Sequence, residues 1–84
     1  MEGHKMKTTT IRLSSIEAVR NFVDIVRKYN CDIDLASGRY LVDAKSIMGI
    51  FSLDLLNPIK LVAHCDSCDQ LLEEIKDYII DTEA

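Results

Sequence analysis

The sequence predicts an α+β fold: a four-stranded, mainly antiparallel sheet covered on one face by three helices, in the order β-α-β-β-α-β-α. Three observations support this. Four segments alternate apolar and polar residues with period two: Ile11 and Leu13; Ile33 and Leu35; Val42 and Ala44; and Ile59, Leu61 and Ala63. Each such strand has one dry and one wet face, which an antiparallel sheet tolerates. Two longer stretches, from Ile16 to Tyr29 and from Leu71 to Ile79, repeat their apolar residues at helical spacing instead. A third, much shorter apolar cluster follows Ser46.

In order, residues 1–7 lack periodicity and read as a flexible leader, leaving 8–84 as a single domain. Thr8 to Leu13 is rich in β-branched residues and forms the first strand. Ser14 and Glu17 have capping-box spacing, so Ser14 is expected to cap the first helix. That helix presents Ile16, Val19, Phe22, Val23, Val26 and Tyr29 to the core, and Arg27 and Lys28 suit its negative end. Asp32-Ile-Asp-Leu35 is the second strand, Ser37-Gly38 a turn, and Tyr40 to Ala44 the returning third strand. Ser46 is a good helix N-cap, and Ile47, Met48, Ile50 and Phe51 crowd the two turns after it. Asn57-Pro58 breaks the chain before the fourth strand, Ile59 to Cys65. Ser67 and Gln70 form a second capping box, opening a helix with Leu71, Leu72, Ile75, Tyr78 and Ile79 along its apolar stripe. The expected core comprises Ile16, Val19, Val23, Ile33, Leu35, Val42, Leu61, Leu71 and Ile75.

Composition narrows the function classes. A hydrophobic share of 48%, a charged share of 29% and a net charge of −4 describe an ordinary globular domain. The acidic balance speaks against nucleic acid or anionic membrane as partner. No apolar run is long enough to span a bilayer, and no export signal is evident. Three cysteines, an odd count, point to reduced thiols and hence to the cytoplasm. Four large apolar residues after Ser46 exceed what one buried face needs, so Met48 and Phe51 are expected at the surface, facing a partner.

Lys45-Ser-Ile-Met-Gly-Ile-Phe-Ser-Leu53 resembles the Lys-Ser-Ile-Met-Gly-Val-Met-Ser-Leu signature of HPr, the small phosphocarrier of the bacterial sugar phosphotransferase system. Upstream, Lys28-Tyr29-Asn-Cys-Asp32-Ile-Asp-Leu35 is similar to the family's Lys-(Phe/Tyr)-x-x-(Asp/Glu)-(Ile/Val)-x-Leu segment at the same spacing. The resemblance covers roughly residues 8 to 80 and implies the HPr open-faced β-sandwich. It also implies phosphoryl transfer through a histidine in a Gly-Ile-His-Ala-Arg-Pro motif. Aligned without gaps, the histidine's place holds Ser15, the arginine's Glu17 and the proline's Ala18. A serine phosphate is too stable an ester to pass its phosphate on, and Glu17 repels the charge that arginine would attract.

The expected function is therefore that of a non-catalytic regulatory or protein-binding module without histidine phosphotransfer. Its partners would be proteins of the phosphotransferase or carbon-regulation system, with no small-molecule substrate, cofactor or metal. The resemblance makes Ser46 a regulatory phosphorylation site, set beside a partner surface of Lys45, Ile47, Met48 and Phe51. One alternative is a working phosphocarrier with an atypical acceptor, for which His64 is the ordered candidate. Another is a thiol redox or metal-binding protein acting through Cys65-x-x-Cys68. Asp32, Asp34 and Asp43 are expected on the solvated face of the sheet.

Overall fold

The computed structural model describes residues 6–65 and 69–80. It contains β1 (Met6–Ile11), α1 (Ile16–Val26), β2 (Asp32–Ser37), β3 (Tyr40–Asp43), α2 (Ile47–Phe51), β4 (Ile59–His64) and α3 (Asp69–Glu74). A single 3-10 turn, Lys76–Tyr78, follows. The strands form one sheet in the order β1-β4-β2-β3, and each neighbouring pair is antiparallel. The α+β architecture read from the sequence is the one observed.

Strand alternation sorts the two faces. Ile33 and Leu35 of β2 and Ile59, Leu61 and Ala63 of β4 are buried, whereas Asp32, Lys60 and His64 are exposed. The helices cover the buried side. Val19, Phe22, Val23 and Val26 recur at helical spacing along α1 and are all sealed from solvent, as are Leu71 and Ile75 at the other end of the chain. The Phe22 and Tyr78 rings meet edge to face at 6.1 Å. Beyond the 3-10 turn, Ile79 bridges to Ile11, and the Ile80 amide donates to the Thr10 carbonyl at 2.9 Å. The end of the described chain is thereby tied to the edge of β1.

Some local expectations change. β1 begins at Met6, inside the stretch read as a leader, because Met6 pairs with His64 and Lys7 with Ala63. The rest of that stretch, residues 1–5, lies outside the described residues. Ser15, not Ser14, caps α1: its Oγ accepts the Ala18 amide at 3.0 Å. Ile16, at the first position of the helix, is 66% exposed rather than part of the core. Val42 is half-buried and packs against the core from its margin. α1 stops at Val26 with Arg27 as C-cap, earlier than Tyr29. The closing helix is split, with Ile75 separating α3 from the 3-10 turn. The second capping box involves Ser67, which lies outside the described residues.

Gly38 has φ 60°, the left-handed region where a residue without Cβ is unstrained, and it starts the two-residue turn joining β2 to β3. Gly49 works by closeness instead. A Cβ there would stand 3.2 Å from the Val42 Cβ and 3.3 Å from the Ser46 Oγ. Its absence lets α2 lie tightly on β3.

Candidate functional site

The start of α1 faces the C-terminal end of α2, and the start of α2 faces the C-terminal end of α1. At the first, Ser15 takes an extended backbone and uses its hydroxyl oxygen on the Ala18 amide, with Glu17 exposed in the first turn. At the second, Ser46 takes an extended backbone and its Oγ accepts the Gly49 amide at 3.2 Å. Both hydroxyls are solvent-accessible caps.

Between the start of α1 and the C-terminal end of α2 lies an apolar groove of about 510 Å³, lined by Arg12, Leu13, Ser15, Ile16, Phe51 and Leu56 among others. Arg12 reaches across it, donating from Nη2 to the Leu56 carbonyl at 3.2 Å. Around the groove stand Ile16, Phe51, 41% exposed, and Leu56, 84% exposed. Met48 is 76% exposed and lies three residues before Phe51, on the same side of α2. The anchor of α2 is Ile50, which is fully buried. This division follows from the length of the helix: one apolar residue faces inward fully, Ile47 is half-buried, and the rest have no sheet to cover. Of the residues expected at a partner surface, Met48 and Phe51 are open to solvent, and Ile47 and Lys45 are only partly so. The structure sets Phe51 beside Ser15, two residues far apart in sequence.

Sequence reasoning missed Ile16, Leu56 and Arg12 as members of this surface. Leu56 carried a signal, as a large apolar side chain in a loop between Asp54 and Asn57-Pro58, where nothing periodic would bury it. Asp54 shapes that loop by accepting the Leu56 amide at 3.1 Å and the Asn57 side-chain amide at 2.7 Å.

His64 lies elsewhere, at the end of β4 on the uncovered face of the sheet. Its Nε2 is 3.2 Å from Asp34 Oδ2. It shares a hollow of about 550 Å³ with Asp32, Asp34 and Asp43. Asp34 and Asp43 are directly opposite each other across β2 and β3. A phosphoryl group arriving at His64 would meet three carboxylates and, of opposite charge, Lys45, whose Nζ is engaged by the Tyr29 carbonyl. Among the described residues, no three His, Cys, Asp or Glu side chains are grouped so as to hold a metal ion. Cys31 is a free, half-buried thiol. Cys65 is half-buried against the core and is not free, and Cys68 lies outside the described residues.

The family model for the PTS HPr component phosphorylation site matches residues 16–81 of the chain. The chain belongs to the HPr family. HPr-C-His of Thermoanaerobacter tengcongensis shares 30% identity and superposes with a TM-score of 0.69, covering 87% of this chain and 88% of its own. The phosphocarrier protein HPr of Bacillus anthracis gives a TM-score of 0.69 at 24% identity, covering 89% and 98%, and so supports the fold alone. A search of curated proteins finds no match. Among the described residues, no helix is long and apolar enough to cross a membrane. The HPr match starts at Ile16, one residue beyond Ser15.

Proposed function

We propose that this HPr-family protein is a non-enzymatic binding or regulatory module that has given up histidine phosphotransfer and kept the helix-end surface. The observation that carries this reading is Ser15. Where the resemblance calls for an imidazole nucleophile, the chain has a hydroxyl already accepting the Ala18 amide. Two residues on, Glu17 brings a negative charge to the spot where the phosphorylated state needs a positive one. The exposed apolar rim of Ile16, Met48, Phe51 and Leu56 is retained beside it, at a cost in exposed hydrophobic surface that a partner would offset. The partners are proteins of the phosphotransferase or carbon-regulation system, and Ser46 is the regulatory phosphorylation site at the edge of the surface. The setting is the cytoplasm.

Met48→Asp tests the binding half of this reading. The variant should melt like the parent protein, because the side chain is largely solvated, and should lose capture of phosphotransferase-system proteins. Unfolding, or undiminished capture, would count against the proposed surface.

A further inference from the structure

Two connections cross between the C-terminal end of α1 and the residue before Ser46. Lys45 Nζ donates to the Tyr29 carbonyl at 2.6 Å, in a partly buried position. In return, Arg27 Nε donates to the Lys45 carbonyl at 3.3 Å, at the surface. Lys45 is thus turned away from Ser46 and committed to a carbonyl just past α1. Redirecting it would break a short charge-assisted bond and strip that carbonyl of its donor. Arg27 is in the opposite situation. It holds its contact at long range through one of five guanidinium N–H donors, one peptide unit from Ser46.

We infer that Arg27, not its sequence neighbour Lys45, is the side chain that receives a phosphate placed on Ser46. This rests on Ser46 being the regulatory site of the proposed function. The planar guanidinium can meet two phosphate oxygens at once, and it pivots on the contact it already makes. The other charges about Ser46 come from two elements. Asp43, whose Oδ1 accepts the Lys45 amide at 2.8 Å, opposes a dianion. Asp24 and Arg20 lie one and two turns back along α1 from Arg27. Arg27 therefore bridges the C-cap of α1 to the N-cap of α2, and phosphate on Ser46 tightens the junction between the two helices.

The test places phosphoserine at position 46 of the full chain during translation, so no kinase is required. The second ionisation of the phosphate is followed by ³¹P NMR in the parent, in Arg27→Gln and in Lys45→Met. Arg27→Gln should raise that pKa by about 0.3–0.7 unit, the size expected for loss of one exposed ion pair. The difference should shrink in 1 M salt. Lys45→Met should move the pKa less than Arg27→Gln does. No rise in Arg27→Gln, or a larger rise in Lys45→Met, overturns the inference. If Lys45→Met fails to fold, the Arg27→Gln titration decides alone. Failure to find a kinase for Ser46 would count against the regulatory reading while leaving the titration result intact.

Discussion

Lys45 Nζ and the Tyr29 carbonyl, 2.6 Å apart, join the end of α1 to the start of α2. This bond links the two segments whose sequences most resemble the HPr signature, one ending β3's return and the other leading into β2. Lys45→Met should therefore destabilise the protein by about 1–2 kcal/mol, within the range for a hydrogen bond to a charged group that is partly screened. Urea unfolding measures it. A change below a few tenths would show that the carbonyl is satisfied by water instead.

Leu71 is sealed between α3 and the sheet. Replacing it with Ala removes buried methyl groups and leaves a cavity, and should cost about 2–4 kcal/mol. For a domain this small that is a large part of the total stability. Thermal unfolding should show a clear loss.

Ile16 should behave in the opposite way. Its side chain is 66% exposed, and an acidic residue suits the first turn of a helix. Ile16→Asp should leave the unfolding free energy within about 0.5 kcal/mol of the parent and weaken partner capture as Met48→Asp does. Strong destabilisation would return Ile16 to the core.

Glu74 governs a pH effect. Lys28 Nζ lies 2.8 Å from Glu74 Oε1. That hydrogen bond first, and the nearby Tyr29 hydroxyl second, hold the Glu74 carboxyl below its ordinary range. The Tyr29 hydroxyl is buried and falls short of good hydrogen-bond geometry, so Lys28 is the dominant cause. A depressed folded-state pKa contributes stability above the unfolded carboxylate range and loses it as pH falls through the folded value. Glu74→Gln should therefore be less stable than the parent at neutral pH, with the gap closing in acid. A gap that stays constant with pH would exclude the ion pair as its source.

The fold was legible in the sequence because period-two and helical spacing each choose a buried face, and one register shift would have reversed it. Ile33, Leu35, Leu61 and Val23 followed directly. The helix ends were harder to read. Ser14 and Ser15 are chemically alike, and only the backbone conformation decides which hydroxyl faces the first turn. Ile16 shares the spacing of Val19 and Val23 yet stands at the first helical position, where it is left exposed. The exposure of Met48 and Phe51 could be read from crowding. The groove between Phe51 and Ser15 could not, because it depends on the α2–β4 loop carrying Leu56 alongside the start of α1. Lys45's turn toward Tyr29 was hidden for the same reason: proximity in sequence suggested Ser46 as its partner.

The central claim, that this HPr-family protein binds without passing phosphate, is tested most directly with phosphoenolpyruvate and the family's enzyme I. The purified chain is incubated with both, and protein-bound phosphate is assayed before and after mild acid. The account predicts no acid-labile phosphate, since the resemblance aligns Ser15 with the family's histidine and His64 shares its hollow with Asp32, Asp34 and Asp43. Acid-labile phosphate on the chain, whether on His64 or elsewhere, would contradict it.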